Sequence, residues 1–302
     1  DHEVGTRTAV APGDDAALLA IREEGIGLAF ASGADPDWTA AAPYEGARAA
    51  ALENATNLAT TGAMPLAAVD CLNGGNPETP DVYGGFRAIV DGLADMCSTL
   101  DVPVVGGNVS LYNDSVAGPI PPTPTLAMTG TRAGYDAPGT ELDGDGELVV
   151  VAGGEDRALG GSELLARFGG SDRFPSVPEG AAEFVSAVAD VADADSTLSV
   201  HDVSHGGVAV TLAEMVGDAG ADVTLPGDDP LEALFSEAVG RDVVETTDPD
   251  AVRSLVPDAV AVDVVGEATD DERLTLSVDG ETLEYSASRI AELRDVIASG
   301  LE

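Results

Sequence analysis

The chain has 302 residues, enough for two domains of ordinary size, and 44% of them are hydrophobic, enough for a core rather than a disordered polyanion. Fifty-five Asp and Glu face 13 basic residues, all of them arginine, for a formal net charge of −42. That sign excludes nucleic acid and anionic membranes as default partners, and the lack of lysine excludes a Walker-type phosphate loop and Schiff-base or pyridoxal chemistry.

Self-repulsion of this size opposes compaction, and it weakens as the Debye length falls from ~8 Å near physiological salt to ~3 Å at 1 M. The composition therefore points to a halophilic source with a salt-filled cytosol. Thermal melts should show a midpoint that climbs from low to molar KCl; an unchanged midpoint would count against salt adaptation. Cys71 and Cys97 are spaced too widely for a zinc knuckle, and with only three histidines in the chain they read as small core residues rather than metal ligands or a disulfide. No stretch is long and apolar enough to cross a membrane, and no basic start precedes an apolar run, which points to the cytoplasm.

Residues 1–132 read as a first unit. Thr8–Ala11, Ala16–Ile21 and Gly27–Ala31 have the composition of short strands between turn residues. Glu45–Thr61 reads as a helix, opening after Pro43 and closing before Gly62. Met64–Leu72 is a strand and Asp81–Leu100 a second helix, with Phe86, Ile89, Leu93 and Met96 on one face. Val102–Val105 and Thr125–Thr131 complete a mixed sheet. Between them Gly118-Pro-Ile-Pro-Pro-Thr-Pro124 is too proline-rich for either element and is expected to steer the chain back to the sheet edge.

Residues 133–146, rich in Gly, Asp and Pro, read as a linker, and a second unit covers 147–302. Its expected strands are Leu148–Ala152, Thr197–Val200, Val243–Glu245, Ala259–Glu267, Arg273–Val278 and Glu281–Tyr285. Its expected helices lie near Gly161–Phe168, Gly180–Ala192, Gly207–Val216 and Ser288–Ala298. The fold class is α/β, layered, in two domains.

Two strings carry the chemistry. Pro103-Val-Val-Gly-Gly-Asn-Val-Ser-Leu-Tyr-Asn-Asp114 reads as a buried strand that stops at Gly106-Gly107 and then offers oxygen-bearing side chains without a base. Leu66-Ala-Ala-Val-Asp-Cys-Leu-Asn-Gly-Gly-Asn76 repeats the pattern. Such strand ends can present a phosphate ester and a hard cation at the carboxyl edge of a sheet; ordinary Gly-Asn hairpin loops are the alternative.

With His201-Asp-Val-Ser-His-Gly-Gly207, Gly13-Asp-Asp-Ala-Ala17 and Pro43-Tyr-Glu-Gly46 in the same order, these strings resemble the large, ATP-dependent subunits of phosphoribosylformylglycinamidine synthases. Those subunits are internal duplications, each half built like a protomer of the aminoimidazole ribonucleotide synthetase superfamily. The resemblance covers nearly all of this chain but only the C-terminal half of such a subunit, and the chain begins inside it, as a piece of a longer protein would.

The resemblance implies a fold in which the first domain forms half of a central β-barrel and the second packs beside it. It implies a C–N ligase of purine biosynthesis. ATP phosphorylates the amide oxygen of formylglycinamide ribonucleotide, and ammonia from a separate glutaminase subunit then displaces the phosphate. A small accessory subunit is a further implied partner. By similarity, Asp70 and Gly107 contact ATP, Asn108 is a Mg²⁺ ligand and Ser110 meets the ribonucleotide. The plainer readings are a turn or cap acid for Asp70 and a turn for the other three. No catalytic residue is assigned, because the motifs holding the family's catalytic histidine belong to the missing N-terminal half. The piece alone is therefore expected to bind nucleotide weakly and to turn over nothing, and an orphaned half-barrel would seek another copy of itself, as a homodimer.

Other residues stay open. Asp14 or Asp15 would add a metal carboxylate, or lie in a plain turn. His201, Asp202 and His205 suggest a metal cluster, but a strand-to-helix turn capped by Asp is the expectation, and the family usually has Asp where His205 stands. Gly160-Gly-Ser-Glu163 would meet phosphate or simply cap a helix. Glu237-Ala-Val239 stands where the family's first half has a Glu-Ser-Gln substrate contact, and Gly74 replaces a frequent phenylalanine. The alternatives to the synthase are a stand-alone homodimeric ATP enzyme of the superfamily with another substrate, and a non-catalytic half that holds a structural nucleotide.

Overall fold

The structure, a computed structural model, describes residues 6–301. The first domain comprises β1 (Thr8–Val10), β2 (Ala17–Ile21), β3 (Ile26–Gly33), α1 (Pro36–Ala41), α2 (Pro43–Ala59), β4 (Met64–Asn73), α3 (Pro80–Thr99), β5 (Val104–Ser110), a small hairpin of β6 (Asp114–Ser115) and β7 (Gly118–Pro119), and β8 (Thr123–Ala133). Its sheet runs β1-β2-β3-β8-β4-β5. All neighbours are antiparallel except β4 and β5, which are parallel and joined through α3.

The second domain holds β9 (Glu147–Ala152), α4 (Glu163–Phe168), α5 (Ala181–Ala192), β10 (Thr197–Asp202), α6 (Gly207–Met215), β11 (Gly220–Thr224), α7 (Pro230–Phe235), β12 (Arg241–Thr246), α8 (Pro249–Leu255), β13 (Ala261–Thr269), β14 (Arg273–Val278), β15 (Glu281–Ser286), α9 (Ala287–Arg294) and α10 (Val296–Leu301). Its sheet runs β10-β12-β9-β13-β11-β14-β15.

Alternation along the strands decides what each sheet faces. Ala29, Ala31, Ala68, Leu72, Leu126 and Met128 point inward and pack with Ala51, Leu52, Ala55 and Leu58 of α2 and Leu93 and Met96 of α3. The same core continues through Phe184, Val185 and Val188 of α5 to Val149, Val151 and Val244 of the second sheet, so the two domains share one interior. The far side of the second sheet closes over α6 and α7 through Leu148, Val150, Val208, Leu212 and Leu234. The outer face of the first sheet has no cover: Ile26, Phe30, Met64, Leu66 and Val69 are all exposed.

Three sequence expectations change. β5 does not stop at Gly106 but runs on to Ser110, so the motif is strand rather than turn. Its two glycines are extended and hydrogen-bond in register with β4, which a Gly-Gly pair permits as readily as a turn. The proline-rich segment returns the chain to the middle of the sheet, since β8 lies between β3 and β4. Asp202 does not cap α6: that helix starts after Gly206, at φ +80°, without a side-chain cap, and Asp202 ends β10 instead.

The junction between the domains is held. Glu245, fully buried, accepts the backbone N–H groups of Asp143, Gly144, Asp145 and Gly146 at 2.7–3.1 Å and the Ser199 hydroxyl at 3.3 Å. Successive N–H groups of a turn converge on one carboxylate, a nest for an internal anion.

Candidate functional site

The parallel pairing of β4 and β5 sets Asp70 opposite Gly107, Cys71 opposite Asn108 and Asn73 opposite Ser110. The four residues singled out from sequence thus lie on two adjacent strands, Gly107 midway along β5 and Ser110 at its end, but not on one face. A Cβ on Gly107 would sit 1.9 Å from Asp70 Oδ1, so Gly107 and Asp70 share the helix-covered side and the glycine makes room for the acid. Burial raises the Asp70 carboxyl above the ordinary range. A Cβ on Gly106 would meet only Val69, at 3.9 Å, on the open side. Asn108 and Ser110 share that open side with Cys71 and Asn73. Two successive glycines therefore strip both faces of an edge strand, leaving acid on one side and amide and hydroxyl oxygens on the other.

The loops beyond the strands are tied together by a residue to which the sequence reading gave no separate role. Asn113 Nδ2 donates to Gly74 O at 3.1 Å and to Ser110 O at 3.0 Å. Backbone bonds from Gly74 to Ser110, Tyr112 to Gly75 and Asn113 to Gly74 complete the clasp. A Cβ on Gly74 would fall 2.6 Å from Phe86, which accounts for the missing phenylalanine: Phe86 of α3 already fills that space.

A second cluster lies at the seam between the domains. One ligand atom each from Asp15, His201 and Asp202 fall within 4.8 Å of one another. His201 Nδ1 is 2.6 Å from Asp15 Oδ1, its Nε2 is 3.3 Å from Glu214 Oε2, and Asp15 Oδ2 accepts the Asp202 N–H at 3.0 Å. Asp242, fully buried beside them, has no partner for either carboxylate oxygen, and burial together with Asp202 and Asp15 holds it well above the normal range. Asp14 takes a hydrogen bond from Thr140 at 3.3 Å and stays outside the triad. Against burial, Asp15, Asp202 and Glu214 push His201 up to about 12, so the ring is an imidazolium that neutralises part of the carboxylate charge itself.

His205 is not part of it. It pairs with Asp35 at 2.6 Å across the seam, 5.9 Å from the Trp38 ring, and Trp38 Nε1 donates to Glu237 at 3.3 Å. Glu237 also accepts Gly206 N and Glu163 N, each at 2.8 Å, so it clamps three loops in place. Ser162 caps α4, leaving the Gly160 motif a structural account. The hydrogen bond that His205 Nε2 donates to Asp35 raises His205 to about 9, against partial desolvation. A histidine whose folded pKa exceeds the ordinary ~6.5 stabilises fully below that value and loses the contribution as pH rises through about 9. Melts between pH 6 and 10 should show this loss in the wild type and a flatter profile in His205→Gln; parallel profiles would refute the pairing.

Family models match most of the described chain: "AIR synthase related protein, N-terminal domain" over residues 13–132 and its "C-terminal domain" over 144–279. The chain belongs to the AIR synthase related family. Among curated relatives it is 71% identical over 303 residues to "Phosphoribosylformylglycinamidine synthase subunit PurL" of Natronomonas pharaonis, covering 100% of this chain and 42% of the relative. It is 64% identical over 306 residues to the same subunit of Haloarcula marismortui, covering 98% of this chain and 42% of the relative. The chain thus spans under half the length of the curated relatives it matches. The haloarchaeal origin of these relatives agrees with the acidic composition.

In fold, this AIR synthase related chain is similar to a Thermotoga maritima PurL structure titled as complexed with FGAR, with TM-score 0.73 and 21% identity over 94% of this chain and 48% of that one. A second, titled as complexed with ADP, gives TM-score 0.74 at 21% identity, over 93% and 46%. The two-domain α/β architecture expected from the motif strings is the family's. Among the described residues no helix is long and apolar enough to cross a membrane.

Proposed function

We propose that this chain is the C-terminal half of a phosphoribosylformylglycinamidine synthase, and that its β4–β5 ends hold ATP for that reaction. The carrying observation is that Asn108 and Ser110 share the open side of the glycine-stripped edge strand β5, whose Gly107 lies directly opposite Asp70 of β4. The names and titles of the relatives support the same activity. In the reaction the amide oxygen of formylglycinamide ribonucleotide bonds to the γ-phosphorus of ATP as the bond to ADP breaks. Ammonia then forms the new C–N bond and phosphate leaves with the oxygen. Such chemistry asks a protein chiefly for positioning and charge neutralisation.

The motif fits a nucleotide with its metal. No Lys or Arg lies in Leu66–Asn76 or Pro103–Asp114, and Asn108 is exposed with a neutral, hard amide oxygen. Mg²⁺ carried with ATP supplies the positive charge this edge lacks. Gly107 lets the backbone approach the phosphates, Asn108 offers its amide oxygen to the metal, Ser110 meets the ribonucleotide and Asp70 orients the nucleotide from the other face. The proposed domains are 1–132 and 147–302, with 133–146 between them. The open face of Ile26, Phe30, Met64, Leu66 and Val69 is the proposed contact with the N-terminal half, closing a barrel; glutaminase and accessory subunits and a cytoplasmic setting belong to the same proposal.

The test is reconstitution in molar KCl. The chain alone, with ATP, Mg²⁺, ammonia and formylglycinamide ribonucleotide, should form no product, and the full-length protein should form it. Product from the chain alone would contradict the division of labour. A second reading is a half that keeps a structural nucleotide without chemistry; nucleotide retained through purification without turnover by the full-length protein would select it.

A further inference from the structure

Among the described residues, ten of the 13 arginines stand within 4.0 Å of a carboxylate. Of the three that do not, Arg157 and Arg241 line the same cavity of about 130 Å³ in the second domain. Arg241 is 2% exposed at the start of β12. Its Nε donates to Ala238 O at 3.0 Å and its Nη2 to Ser236 O, while Nη1 has no protein acceptor among the described residues. Arg157 spends Nη1 on Gly154 O and Asp156 O, at 2.9 and 2.8 Å, and leaves Nε and Nη2 without acceptors among the described residues.

A buried guanidinium without a paired counter-ion, as at Arg241, is unfavourable, and the half-buried Arg157 facing the same cavity adds a second like charge. Among the described residues no carboxylate lies within ion-pair distance of either guanidinium, and Asp156, Asp263, Glu155 and Glu237 act on them only from further off. The remaining floor is apolar: Val150, Val208, Leu225 and Val265. Asp228, Asp229, Glu232 and Asp263 line the mouth as exposed, solvated residues, and Asp229 is occupied in capping α7 through Leu231 N and Glu232 N. Burial, then Arg157, lowers Arg241 to about 9, and burial lowers Arg157, while Glu237 acting on Arg241 and Asp156, Asp263 and Glu155 acting on Arg157 offset only part of that cost.

We propose that the Arg157–Arg241 cavity binds one monovalent inorganic anion, of the halide class, that supplies the missing counter-charge. The acidic mouth selects against multivalent phosphates by repulsion. In molar salt, where screening acts over ~3 Å, it admits a single charge. The site lies on the α6–α7 side of the second sheet and does not involve the β4–β5 ends, so its failure would leave the functional proposal standing.

Crystals of the chain grown with KBr in place of KCl provide the test, with bromide as the probe. An anomalous peak within hydrogen-bond reach of Arg241 Nη1 and Arg157 is expected, and Arg157→Met should abolish it. An empty cavity in the wild type, bromide only at surface sites, or a peak unchanged in Arg157→Met would each overturn the paired site. In solution, replacing chloride by gluconate at constant K⁺ should lower the wild-type melting midpoint by more than that of Arg157→Met; equal shifts would also overturn it.

Discussion

If the proposed function holds, replacing Asn108 by alanine in the full-length protein should lower kcat/KM for ATP by about 100-fold, ~2.7 kcal/mol of transition-state stabilisation. Asn108 sits opposite Cys71 on the open side of an edge strand, exposed, and its side chain makes no hydrogen bond to another described residue. Its removal should therefore leave stability near the wild type, because nothing in the fold leans on it. Asn108→Asp keeps a hard oxygen donor and should retain far more activity than the alanine variant, with a shifted Mg²⁺ dependence. Steady-state kinetics over a Mg²⁺ series distinguishes the cases. Full activity of Asn108→Ala would remove Asn108 from the site, and a stability loss equal to the activity loss would make its role structural.

Glu245→Ala has the second large effect, on stability alone. Four backbone N–H groups and one hydroxyl converge on this buried carboxylate, and the segment 143–146 has no other anchor of comparable strength. Losing it leaves the buried Gly146 N–H and Ser199 hydroxyl unsatisfied, each worth about 1–3 kcal/mol, and frees the part-buried N–H groups of Asp143, Gly144 and Asp145, which can turn to water. A destabilisation of about 3–5 kcal/mol is expected from denaturant unfolding in molar KCl. Glu245→Gln, which offers one acceptor oxygen instead of two, should fall between. A change below about 0.5 kcal/mol, the range of ordinary surface substitutions, would show that the nest does not hold the junction.

The long periodic elements were legible in the sequence. α3 shows its buried face as Ile89, Leu93 and Met96, and the alternation of Ala17–Ile21 and Arg273–Val278 gave their strands directly. Short helices escaped although their signals are present. Asp35-Pro36, Asp229-Pro230 and Asp248-Pro249 each place a capping Asp before a proline at the first helical position, and each opens a helix of six or seven residues. β11 has few apolar residues and was missed for that reason. Gly106-Gly107 was read as a stop because glycine suits turns; only the neighbouring strand, which supplies Asp70 to fill the Cβ space, makes the same pair extended.

The site was half legible. The two motif strings announce themselves locally, and parallel pairing through a helix brings them together as expected. The division of Asp70 and Asn108 between the two sheet faces depends on register, which the strings do not carry. The seam cluster is less readable still. Asp15, His201 and Asp242 come from three separate stretches, joined only by the β10–β12 pairing and the contact between domains. His201-Asp202 looked like a cap because a strand-to-helix turn often needs one; here Gly206 begins the helix and frees the pair to face Asp15.

A crystal structure of the full-length protein with a non-hydrolysable ATP analogue and Mg²⁺ tests the proposed placement of the nucleotide most directly. Phosphates against the Gly106–Gly107 backbone, metal at the Asn108 amide oxygen and Asp70 in contact with the nucleotide are the expected result. Nucleotide seated on the Asp15–His201–Asp202 cluster, with the β4–β5 ends bare, would contradict it.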